Sequence, residues 1–93
     1  MGKSVIFDDM EHCCVCGMPY PQHHHIFFGT SNRKLSDKYG YIAPLCMRHH
    51  TGSDGVHFNK DLDRHLKRLA QWHFETHHGK RTDFICTFGK SYL

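Results

Sequence analysis

Two short ligand pairs constrain this chain more than anything else in it. Cys13 and Cys16 stand three positions apart in Cys13-Cys14-Val15-Cys16-Gly17, and Cys46 and His49 stand three apart in Pro44-Leu45-Cys46-Met47-Arg48-His49-His50. A step of three lets one tight turn, or the first turn of a helix, aim both side chains at a single tetrahedral ion. Gly17 suits the first turn because it has no Cβ to clash in a tight backbone conformation. Together the pairs offer three thiolates and one imidazole, the donor set of a closed structural zinc site. Cys14, between the first two ligands, is expected to point away; it is also the alternative to Cys13. Whatever lies between must return Cys46 to Cys16, and His50 is then left over.

The chain has 93 residues, a length that supports one domain with a thin core. A structural zinc can contribute on the order of 10 kcal/mol to folding, large against what such a core supplies. Five cysteines, an odd and clustered set, fit metal better than disulfides, especially beside eleven histidines. No apolar run approaches the roughly 20 residues of a membrane span, and no signal peptide opens the sequence, so a reducing, cytoplasmic setting is expected. The formal charge of +3 is a weak argument for a nucleic-acid partner, because zinc bound by three thiolates removes about one unit. Its distribution has to carry that case.

Taken in order, residues 1–11 carry one short apolar run, Val5-Ile6-Phe7, and read as an edge strand or a lead-in. Residues 22–28 read as a strand ended by Gly29. Alternation there puts His23 and His25 on one face, and His24 with Ile26 on the other. Residues 29–37 are polar and read as a loop, residues 39–45 return as a second strand, and a helix starts at Cys46 and breaks early over residues 51–55. One long packing helix, about 59–78, runs from an Asn59 N-cap to a Gly79 C-cap. Its expected apolar stripe is Leu62, Leu66, Leu69, Trp72 and Thr76, with Lys60, Arg64, Lys67 and Gln71 on another face. His65 and His73 flank the stripe, and the helix dipole accounts for His77 and His78. Residues 83–93, with Phe84, Ile85 and Phe88, are expected to pack back on the domain.

The order Cys-x-x-Cys-Gly, then His-His-Ile on a strand, then Leu-Cys-x-x-His-His on a helix resembles the HNH endonucleases of the ββα-metal fold in their zinc-knuckle form. The resemblance spans residues 13–57. Pro-Leu-Cys-x-x-His-His, Gly55-Val56-His57 and the closing Phe-Gly-Lys-Ser-Tyr are most similar to small phage members of that family, among them nucleases that act in recombination. The resemblance implies an α+β fold: a small zinc-stabilised ββα-metal domain with one long helix in its C-terminal half. It implies that Cys13, Cys16, Cys46 and His49 hold structural zinc, and that His24 and His50 bind a catalytic divalent ion (magnesium, manganese, nickel or zinc). His57 is the candidate for a further ligand, since the glycine-rich turn before it can fold it back. His25 matches the general base, a task suited to imidazole chemistry. A one-residue slip, with His23 as ligand and His24 as base, stays open. The family's middle asparagine is absent, leaving Asn32 or Asp37 to orient the base.

The function implied is hydrolysis of DNA phosphodiester bonds with little sequence specificity, with DNA as partner and a recombination or replication protein beside it. The setting implied is the cytoplasm of a bacterial host. Arg33, Lys34 and Arg48 are the expected phosphate contacts. The competing class is a catalytically silent zinc module that binds nucleic acid or protein, and it leaves His24, His25 and His50 surplus.

Overall fold

The computed structural model describes residues 4–52 and 55–93. Residues 1–3 of the expected lead-in, and Ser53 and Asp54 of the expected helix break, lie outside them. Among the described residues the elements run β1 (Gln22–His25), α1 (Thr30–Tyr39), β2 (Ile42–Leu45), α2 (Met47–His50), α3 (Lys60–His77) and α4 (Arg81–Phe88). The fold is α+β, a two-stranded sheet with helices around it.

β1 and β2 pair antiparallel, with Gln22 opposite Leu45, His23 opposite Pro44, His24 opposite Ala43 and His25 opposite Ile42. Alternation along β1 works as expected: His24 and Ile26 are buried while His23 is exposed. The strands are shorter than the sequence suggests. Beyond His25 a single further bond, Ile26 N to Tyr41 O at 3.0 Å, continues the pairing. Val5-Ile6-Phe7 forms no strand. Val5 N donates to Gly40 O, the Ser4 hydroxyl accepts from Ile6 and Phe7, and both of those side chains pack on the core.

The segment 29–37, expected as a loop, is mostly helix. α1 begins after Gly29 and ends at Gly40, whose left-handed backbone (φ 77°, ψ 29°) lets its N–H reach Ser36 O. A ten-residue helix with only Leu35 and Tyr39 as apolar side chains gives little periodic signal. Its buried tie to the segment after β1 is a hydroxyl: Ser36 Oγ donates to Phe27 O at 2.8 Å and accepts from Phe27 N at 3.0 Å. This leaves α1 lying against the chain just beyond β1.

The Asn59 cap of α3 forms as expected, its side-chain oxygen accepting from the N–H groups of Asp61 and Leu62. The other end caps at His78, one residue before Gly79. The buried face is rotated from the expected stripe and consists of Leu66, Lys67, Ala70, Gln71 and Phe74. Trp72, read as core, is 52% exposed. Lys67 and Gln71 enter the interior because each finds polar partners there. Lys67 Nζ sits 2.9 Å from Asp63 Oδ2 and lies over the Phe28 ring. Gln71 accepts from Tyr92 N at 2.7 Å and donates to Ser91 Oγ and Glu75, pinning the C-terminal segment. The segment 83–93 is expected only to pack back; most of it up to Phe88 lies in helix α4, which buries Phe84 and Phe88 against Phe27, Tyr41 and Phe74.

Candidate metal centres

The first centre is built by two backbone turns and one tie between them. Cys13 N donates to Met18 O and Gly17 N to Cys13 O, with Gly17 at φ 78°, so Cys13 and Cys16 project from one knuckle. Cys46 caps α2, and the N–H groups of His49 and His50 bond to its carbonyl, which turns His49 back over Cys46. Cys14 stays out of the cluster; its amide donates to Pro44 O at 2.9 Å and so fastens the knuckle to β2.

The ligand atoms of Cys13, Cys16, Cys46 and His49 all lie within 4.8 Å of one another. Cys16 Sγ is 3.6 Å from Cys46 Sγ, and His49 Nδ1 is 3.2 Å from Cys46 Sγ and 3.8 Å from Cys13 Sγ. A tetrahedron with Zn–S near 2.3 Å and Zn–N near 2.0 Å has edges of about 3.5 to 3.8 Å, so the cluster has the size of a zinc site. The sulfur separation is far from the roughly 2.05 Å of a disulfide. Burial pushes the Cys13 thiol up, yet amides of Cys46, Cys16 and Val15 outweigh it and hold the group at about 6, largely thiolate at neutral pH. Cys16 goes the other way. The Met18 amide pulls it down, but burial and the sulfurs of Cys46 and Cys13 keep it above its ordinary value, the behaviour of a crowded donor set that wants a cation. These four residues can hold a metal ion and suit structural zinc.

The second centre comprises His24 from β1, His50 from α2 and His57 from the turn before α3, again within 4.8 Å. His57 is carried there by Val56 N bonding to His49 O, and by Gly55, where an added Cβ would meet His50 O at 2.6 Å. His24 is 3% exposed, and its Nε2 is buried with no hydrogen-bond partner. Such an atom is costly unless something uses its lone pair. Burial, with the charges of His50, His57, His25 and Lys67, pushes His24 down to about 3, and His50 is lowered by burial and then by His57 and His25. Both rings are thus neutral donors at pH 7. His50 Nδ1 contacts Gln22 Oε1, which leaves Nε2 as the donor atom. The residues therefore fit a divalent ion that takes imidazole ligands, and the exposed His23 is outside the cluster.

His25 follows on the strand. Its Nε2 lies 2.8 Å from Asp37 Oδ1 on α1, and because a carboxylate only accepts, Nε2 carries the hydrogen and Nδ1 the lone pair. No protein-family model, curated protein or solved structure matches the chain. The roles of these residues therefore rest on their chemistry alone. Of the two expected orienters of His25, Asp37 is the one in contact; Asn32 bonds to Phe88 O instead. Arg33 and Lys34 line an open groove of about 570 Å³ with Gly29, Thr30 and Asp37, so both basic groups flank the His25 partner. Arg48 is exposed on α2, directly before His49 and His50.

Two contributors went unread in the sequence. Gln22 had a signal, since it stands two residues before His24 on the same strand face. Lys67 had none, because its position over Phe28, itself against His57, is a product of tertiary packing. Among the described residues no helix is long and apolar enough to cross a membrane.

Proposed function

We propose that the chain is a metal-dependent endonuclease of the ββα-metal (HNH) kind, which hydrolyses DNA phosphodiester bonds with His25 as general base. One observation carries this: buried His24, whose Nε2 has no partner, clusters with His50 and His57 one residue away from a histidine whose tautomer an acid fixes. A structural module needs only the cysteine-rich centre, and nothing in stability explains a second, desolvated imidazole cluster beside an Asp–His pair.

His24, His50 and His57 would hold the ion. When bound, it supplies a Lewis acid beside the scissile phosphate. His25 Nδ1 takes the proton of the attacking water as its oxygen bonds to phosphorus. Asp37 keeps Nε2–H in place and balances the imidazolium that forms. The bond from phosphorus to the 3′ oxygen breaks, leaving a 5′ phosphate and, after protonation from solvent, a 3′ hydroxyl. Arg33 and Lys34 in the groove beside Asp37 draw the nucleic-acid backbone past His25, and Arg48 adds charge from α2. These contacts address phosphate rather than base edges, so the reading includes weak sequence preference. It also includes action in a bacterial host cell as a small phage-type enzyme, with a recombination or replication protein to direct it.

The test is nicking of supercoiled plasmid with manganese, magnesium or nickel, on protein shown to carry one zinc per chain. His25→Ala should lower the rate by about 10²- to 10⁴-fold. Asp37→Ala should lower it by about 10- to 100-fold, and Asp37→Asn, which can still accept from Nε2–H, should lose less. A zinc-loaded parent that binds DNA in low salt but cuts under none of these metals would instead make the chain a binding module.

A further inference from the structure

The last turns of α3 carry a histidine pair that neither centre uses. His73 and His77 stand four apart, on one face of the helix, and their rings stack with centroids 4.1 Å apart and planes within 17°. Each ring is already anchored through Nδ1. His77 Nδ1 donates to the His73 carbonyl at 3.0 Å, which makes Nε2 its lone-pair nitrogen. His73 Nδ1 lies 3.2 Å from the hydroxyl of Tyr41, a side chain that is fully buried. Metal-binding histidines are held in this way, one nitrogen fixed by an oxygen and the other offered to the ion.

We propose that His73 and His77 chelate a third metal ion, a borderline transition ion such as nickel, copper or zinc, through their Nε2 atoms. Two histidines at this spacing on one helix face are a known zinc-binding arrangement, and imidazole donors select these ions over magnesium or calcium. Imidazole lone pairs lie in the ring plane, so the stacked rings must turn until their Nε2 atoms converge at the roughly 3.4 Å between nitrogens on a tetrahedral ion, and exposed His77 is free to swing toward that position. The place favours a cation as well, because the carbonyl ends of the helix point there. Burial and then the charges of His77 and His78 hold His73 below its ordinary value, so that ring is a neutral donor at pH 7. His78 packs on Tyr39 and Phe74 with its ring 5.7 Å from that of His73, beside the pair and not stacked in it. A site with two protein ligands is weaker than either cluster. It is independent of the nuclease reading and shares no ligand with it. Through Tyr41, whose carbonyl accepts from Ile26 N at 3.0 Å, it bears on the residue directly after His25.

Nickel titration of the zinc-loaded full chain, by calorimetry and by NMR, tests the site. The expected result is one nickel ion at the His24 cluster and a weaker one whose paramagnetic broadening covers Tyr41 and residues 73–78. His77→Ala, an exposed change whose fold is checked by circular dichroism, should weaken the second event by at least about tenfold and leave the first. His57→Ala should do the reverse. Broadening that avoids residues 73–78, or a second event unchanged in folded His77→Ala protein, would overturn the proposal.

Discussion

Individual side chains here are set by what lies opposite them, and Tyr41 shows how far that moves their chemistry. Burial, with Tyr39 adding to it, raises the Tyr41 hydroxyl above its usual value near 10. The unfolded chain ionises near pH 10 while the folded chain keeps the proton. The resulting stability is therefore fully present below about pH 10 and is lost as pH rises further, by up to about 1.4 kcal/mol per pH unit. Tyr41→Phe should flatten this part of the alkaline loss, measured by thermal unfolding between pH 8 and 11. At the same scale, the ligands of the first centre were legible because their spacing is local: a step of three is a property of one turn. The His25–Asp37 contact was legible only as a pair of options. Both Asn32 and Asp37 fall in the segment after β1, and the choice depends on which side of a helix faces the strand, a fact that exists only once α1 is formed.

Elements were read well where they carried apolar periodicity or a strong cap, and poorly where a single polar group held them. The N-terminus of α3 follows directly from Asn59, but the buried face differs at two polar residues that combine a partner on α3 with contacts from other segments. Lys67 and Gln71 look solvent-facing until Asp63, Phe28 and residues 91–92 surround them. α1 is the clearer case. Its anchor, Ser36, is an ordinary loop residue in sequence, yet its hydroxyl satisfies both the N–H and the C=O of Phe27. Ser36→Ala should therefore cost about 1 to 3 kcal/mol, since two buried backbone groups lose their partner. Urea unfolding measures this, and a change under about 0.5 kcal/mol would mean α1 is held by its other contacts, Leu35 and Tyr39 with the Asp37 and Asn32 hydrogen bonds.

At the scale of the whole molecule, the two centres differ in what depends on them. The cysteine-rich cluster joins the knuckle to β2 and α2, so it closes the N-terminal half of a small domain. Removing zinc by chelation at pH 7 should lose on the order of 10 kcal/mol of folding free energy and melt the near-ultraviolet dichroism. His57→Ala should leave zinc content and that signal intact. Zinc loss must also scatter the second centre, whereas the reverse does not hold. His49 and His50 are neighbours in a four-residue helix, one turned to each centre. A single peptide bond thus separates a residue of the first candidate centre from a residue of the second. Divergent relatives should keep Cys-x-x-His-His as an ungapped word, while the stretches on either side of it lengthen, shorten and drift.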